Sequence, residues 1–167
     1  MVISKLEDLL VEQLRDLYNA ESQVQLALER WSEAADAEEL RQLFGDRIEQ
    51  ASRHINRVQE ICNALGVSPA GERCHGMQGL ITEGDEYIED SEPGPVRDAG
   101  LIANAQRIEH YGIAGYGCAR TYAERLGHNE AARALQDNVE ESAAMDERMT
   151  ELAETLLNPE AQAADAS

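Results

Sequence analysis

Four long segments of this chain repeat hydrophobic residues every seven positions, and that repeat restricts the possible folds more than any other feature. In the first segment Ile3, Leu10, Leu17, Val24 and Trp31 fall seven apart, with Leu14, Glu21 and Leu28 in the companion slot. In the second, Phe44, Ala51, Val58 and Leu65 share one slot, and Ile48, Ile55 and Cys62 the other. In the third, Ile102, Glu109, Tyr116 and Ala123 alternate with Ala105, Gly112, Ala119 and Leu126. In the fourth, Leu135, Ser142, Met149 and Leu156 alternate with Asn138, Met145 and Leu152. Helices striped at this period bury the stripe against one another. No segment alternates in the manner of a strand, so the chain reads as all-α.

Punctuation between the stripes sets the topology. Ser4-Lys5-Leu6-Glu7 has the form of a capping box, and so has Asp36-Ala37-Glu38-Glu39 with Asp in place of Ser or Thr. Gly66 and Gly127 stand where helix stops are expected, Asn129 can cap the fourth helix, and Asn158-Pro159 follows it. The stretches VSPAGERCHGMQG and SEPGP break the chain on either side of a short amphipathic segment at residues 80–88. Two helical pairs with short turns, joined by one long crossover, predict a four-helix bundle with a short extra helix in the crossover between helices two and three. The bundle is expected over residues 1–157, with residues 158–167, small and polar, as a flexible tail.

Charge and cysteine content narrow the function classes. The formal net charge is −19, and only one of the fourteen basic residues is a lysine, Lys5. Such a surface repels phosphate backbones and anionic head groups, so neither nucleic acid nor membrane is an expected partner. A lysine-poor acidic surface also suits a salt-rich interior, which points to a halophilic source. The three cysteines, Cys62, Cys74 and Cys118, lack metal-site spacing and read as idle thiols. No apolar run is long enough to span a bilayer and MVISKLED lacks signal-peptide character, so a cytoplasmic location is expected.

Polar residues interrupt the stripes at one level. Folding the first two helices back near residue 35 sets Glu21 opposite Glu49, and folding the last two near residue 128 sets Glu109 and Gly112 about one turn from Ser142. Carboxylates grouped at a bundle midplane require a partner. A pair of oxygen-loving metal ions meets that demand; alternatively the carboxylates pair with Arg47, Arg53 or Arg107, or reach water.

The stretches DLYNAESQ, RCHGMQGLITEGDE and VRDAGLIANAQRIEHYGIAGYG, with the end of the fourth helix more loosely, resemble the ferritin-like stress-protein family typified by YciE and YciF. The resemblance covers about residues 3–157. It implies a compact bundle, a homodimer, and a central site for two metal ions, iron or manganese. Residue by residue, Glu21 matches the glutamate of the first helix. Glu49 matches the leading glutamate of E-x-x-H or E-x-x-E in the second, and Glu109 that of E-x-x-E in the third. Three further positions depart from the pattern, with Ser52, Gly112 and Ser142 standing where the family has His or Glu.

Substitute ligands are scarce. His54, five residues after Glu49, is turned about 140° from it, and His110 flanks Glu109, whereas Glu141 or Asp146 could lean inward beside Ser142. No G-x-S-x-G elbow or phosphate loop supports other chemistry. The sequence therefore supports a degenerate carboxylate site of Glu21, Glu49 and Glu109 in a non-catalytic protein, binding at most one ion weakly. The competing reading is a di-iron or di-manganese protein acting on dioxygen or peroxide.

Overall fold

The computed structural model describes residues 3–164. Helices α1 (Leu6–Ala34) and α2 (Glu38–Ala64) form one antiparallel pair, and α4 (Pro95–Arg125) and α5 (Asn129–Leu152) the other. The crossover carries α3 (His75–Asp90), which lies against α1 and α4. Contacts of α1 with α4 and of α2 with α5 close the ferritin-like four-helix bundle. No strand occurs among the described residues, and none of their helices is long and apolar enough to cross a membrane.

Both expected glycine stops hold. Gly66 and Gly127 adopt φ of 69° and 80°, open to glycine at no steric cost. Behind each, the chain turns back on the carbonyls of the last helical turn: Val67 N–H donates to Cys62 O, and His128 N–H to Ala123 O. The capping box at α1 also forms, but its acid is Asp8, whose Oδ2 accepts from the Ser4 and Lys5 backbone N–H groups.

At α2 the expected local cap is absent. Asp98, buried on α4, reaches across the bundle and accepts from the N–H groups of Asp36 (2.9 Å) and Ala37 (2.7 Å). A tertiary carboxylate therefore does there what Asp36 was expected to do.

Helical structure also continues past Leu157, where the tail was expected to fray. A π turn at Ala153–Leu157 precedes α6 (Asn158–Ala164), which packs on α4. Pro159 has no N–H and its ring would crowd the carbonyl four residues back in a regular helix. The wider turn, with Asn158 N–H bonded to Ala153 O, carries the helix through the proline. Residues 165–167 of the expected tail lie outside the described residues.

The hydrophobic core is split in two. One cluster gathers Val24, Leu28, Trp31, Phe44, Ile102 and Met149, and the other Leu10, Leu14, Leu17, Val58, Tyr116 and Leu135. Ile3, counted in the first stripe, is exposed instead, since α1 begins only at Leu6. Between the clusters lies a layer of buried polar side chains.

Candidate functional site

That layer is built from all four bundle helices: Glu21 on α1, Arg47, Gln50 and His54 on α2, Glu109 on α4, and Asn138 and Ser142 on α5. At its centre is Arg47, only 2% exposed. The guanidinium donates from Nη1 to Glu21 Oε2 at 3.0 Å and from Nη2 to both Glu21 oxygens, at 3.0 and 3.3 Å. Its Nε donates to Glu109 Oε1. Glu21 Oε1 also accepts from the Tyr116 hydroxyl at 3.0 Å and lies 2.9 Å from His54 Nδ1. The carboxylate requires that His54 carry its proton on Nδ1.

Ionisation follows from these contacts. Burial opposes the charge on Glu21, but Arg47, His54 and Tyr116 outweigh it and hold the carboxyl at about 2. Burial likewise opposes the charge on Arg47, and Glu109 and Glu21 together raise the guanidinium above its ordinary range. For Glu109, burial wins over Arg47 and pushes the carboxyl up; its Oε2 has no hydrogen-bond partner. Burial and the neighbouring Glu21 carboxylate push the Tyr116 hydroxyl well above its usual value, which keeps it a donor.

The polar layer reaches the surface through α5. His54 Nε2 lies 3.3 Å from Glu141 Oε2 without a hydrogen bond to it. Glu141 accepts from Arg57 at 2.6 Å and from Arg53 at 3.3 Å, and Arg57 also donates to Asn138 Oδ1 at 2.8 Å. Burial raises the Glu141 carboxyl and Arg57, His54 and Arg53 lower it, the net shift being downward.

Of the three glutamates singled out in the sequence, the structure brings Glu21 and Glu109 together through Arg47 and leaves Glu49 on the exposed face. The register of α2 explains the error. Its buried stripe runs through Leu40, Arg47, His54 and Ile61 beside Phe44, Ala51 and Val58, whereas Ile48 and Ile55 are half-buried. Glu49 follows Arg47 by two residues, about 200° around the helix, and so points the opposite way. His54, judged against Glu49, was placed outside the centre; seven residues from Arg47, it belongs inside it. Ser52 is exposed and bonded to Gln25 at 2.6 Å. Ser142 is buried with an unpaired Oγ, and a Cβ on Gly112 would stand 3.4 Å from it. Of the proposed substitutes, Glu141 borders the layer, whereas Asp146 instead accepts from Gln106 at 3.1 Å and lies 3.1 Å from His110. Arg47, named only as one of three arginine partners, and His54 had one legible signal: a seven-residue series with apolar ends, Leu40 and Ile61.

The side chains present do not fit a pair of metal ions. Hydrogens of guanidinium, imidazole and phenol take up the Glu21 oxygens, Glu109 gives one oxygen to Arg47, and a permanent cation stands between the carboxylates. Among the described residues no three His, Cys, Asp or Glu side chains converge as a ligand set.

A family model described as Domain of unknown function DUF892 matches residues 5–162. The chain belongs to this family. Protein YciF of Escherichia coli K12 is 38% identical over 163 residues, covering 97% of this chain and 98% of YciF. The crystal structure of the E. coli stress protein YciF matches with a TM-score of 0.89 and 38% identity, over 93% of this chain and 99% of that one. YcfI from Rhodopseudomonas palustris, described as a candidate structural protein, matches at 0.85 and 38% identity, over 89% and 94% of the two chains. A protein from Xanthomonas campestris, 17% identical, shares the fold, with a TM-score of 0.79 over 96% of this chain and 99% of its own.

Proposed function

We propose that this chain is a non-catalytic, ferritin-like member of the stress-protein family, whose central carboxylate site has degenerated into an internal salt-bridge network. The observation that carries the reading is the Arg47 guanidinium bound to both Glu21 and Glu109. Bundle sites for two divalent ions surround +4 of metal charge with about four carboxylates. Here two buried carboxylates face one monovalent cation, and the other contributions to the layer, Gln50, Asn138 and Ser142, are neutral. Such a centre stiffens and specifies a bundle but offers dioxygen or peroxide no open coordination position. Binding is limited to weak, single-ion occupancy. A structural part in the stress response fits the network and the descriptions of YciF and YcfI, and a homodimer is its simplest closed assembly.

Elemental analysis of protein purified without chelator tests the reading, together with oxygen-electrode and peroxide-consumption assays. The expected result is well below one iron or manganese ion per chain and no turnover. Two ions per chain, lost together in Glu21→Gln and Glu109→Gln variants, would establish the di-metal redox reading in its place.

A further inference from the structure

Beside His54 Nε2, which faces Glu141, four buried polar atoms of the central layer have no partner in the protein. They are Gln50 Nε2 on α2, Glu109 Oε2 on α4, and Asn138 Nδ2 and Ser142 Oγ on α5. None of these side chains is more than 2% exposed. A buried donor or acceptor left unpaired costs its full desolvation, so folded proteins pair nearly all such atoms with protein or with ordered water.

A glycine marks the place where one water fits. Among the described residues only Gly84 and Gly112 are buried glycines. Packing demands Gly84, since a Cβ there would stand 2.0 Å from Trp31 Cζ2. It does not demand Gly112, whose Cβ would meet Ser142 Oγ at 3.4 Å and Tyr116 Cε2 at 3.7 Å, ordinary contact distances. Inside a helix glycine is also less favourable than alanine. Neither packing nor helix formation therefore accounts for Gly112. Its missing methyl group leaves a notch between α4 and α5, edged by the Ser142 hydroxyl. Glu109, one turn earlier on α4, shares the face of Gly112.

We infer that the notch at Gly112 is a binding site for one ordered water, which bridges Ser142 Oγ and Glu109 Oε2. Size and polarity select this ligand. An opening of about one methyl group admits nothing larger, and a polar lining gives the water the partners that an apolar void lacks. Charge argues the same way. Glu109 already shares the Arg47 guanidinium with Glu21, so its second oxygen needs a hydrogen bond rather than another cation. Water donates to that oxygen and trades a donor for an acceptor with the hydroxyl. The inference rests on the reading of the centre as a salt-bridge network and deepens it: solvent completes the network at the two positions, 112 and 142, where this chain is short of side chain.

The test is the Tm of Ser142→Ala and Gly112→Ala in the full chain, with an atomic-resolution crystal structure of the natural chain and of Gly112→Ala. Helix propensity alone would raise Tm by about 2–4 °C in Gly112→Ala. Deleting a hydroxyl that bonds to nothing would likewise raise it in Ser142→Ala. With the water in place both variants should instead melt several degrees lower, because one displaces the water and the other removes its partner. The natural chain should show one solvent oxygen within hydrogen-bond distance of both Ser142 Oγ and Glu109 Oε2, and Gly112→Ala should lack it. An unchanged or higher Tm in either variant, or a notch without that oxygen, overturns the inference. Should Gly112→Ala fail to fold, Ser142→Ala, which adds no atom, decides. Two metal ions per chain would sink the proposed function, whereas a higher Tm in metal-free Ser142→Ala would sink the water site alone.

Discussion

Glu21 and Arg47 are each buried beyond the reach of water, so neither tolerates loss of the other. Glu21→Gln would leave the guanidinium with Glu109 as its sole anionic partner, in a setting where breaking a buried pair costs about 3–5 kcal/mol. Chemical denaturation of the variant at neutral pH should show a loss of that size, and a loss under 1 kcal/mol would mean that Glu21 is not the main counter-ion. The pH dependence has a definite sign. A carboxyl held at about 2 in the fold and near its ordinary value of 4.5 when unfolded adds stability above pH 4.5, which drains away as pH falls toward 2. That contribution is about 3 kcal/mol from the shift alone. Glu109 works in the opposite sense: its raised carboxyl adds stability below its unfolded value and loses it as pH rises through the folded one. The acid limb of the stability profile should therefore flatten in Glu21→Gln and persist in Glu109→Gln; identical limbs would refute the assignment. None of this pairing could be fixed from the sequence, because a polar residue on a helix is ordinarily a solvated one. Arg47 was one of three arginines open to the carboxylates, and His54 looked like surface until packing put it inside.

At the level of elements, helix extents were readable and helix rotation was not. Glycine stops and the proline after Gly94 are local chemistry, and they fell where composition put them. The rotation of α2 depended on which companion of Phe44, Ala51 and Val58 turned inward. Apolar content favoured Ile48 and Ile55, and the polar layer required Arg47 and His54. The start of α2 was hidden for a similar reason, its cap being 61 residues away on α4. Asp98→Ala should cost about 2 kcal/mol, at the upper end for a cap because the carboxylate is buried, and Asp98→Asn less. Hydrogen exchange at the Asp36 and Ala37 amides should speed up in Asp98→Ala; unchanged exchange would discount the cap. The crossover helix makes a comparable demand at Gly84. A Cβ there would stand 2.0 Å from Trp31 Cζ2, while Asp85 accepts from Trp31 Nε1 at 2.8 Å. Gly84→Ala should displace α3, destabilise the fold by at least 2 kcal/mol and red-shift Trp31 fluorescence as water reaches the ring. An unshifted spectrum in a stable variant would show that α3 accommodates the methyl group.

For the whole molecule, what the structure adds to the four stripes is a core divided by a charged layer, and a surface whose charge is far from balanced. Self-association as a two-fold dimer, the commonest closed assembly, should appear in light scattering at micromolar concentration in high salt, and monomer alone would exclude it. Salt governs the last expectation. At −19 the surface repels itself, and folding concentrates that charge. Potassium chloride at molar concentration shortens the screening length to about 3 Å, which relieves the repulsion. The same screening weakens exposed pairs such as Lys5–Glu7, Arg41–Glu38 and Arg148–Asp46, but pairs so open to solvent contribute little to begin with. The buried pairs of Arg47 are shielded from salt by the two hydrophobic clusters. Relief of repulsion therefore outweighs loss of pairing. Each kcal/mol gained moves Tm by roughly 2–4 °C in a domain of this size, so the melting temperature should climb by several degrees between dilute buffer and molar potassium chloride. A flat or falling curve would show that the acidic surface is already tolerated at low salt, and would remove the physical ground for a halophilic source.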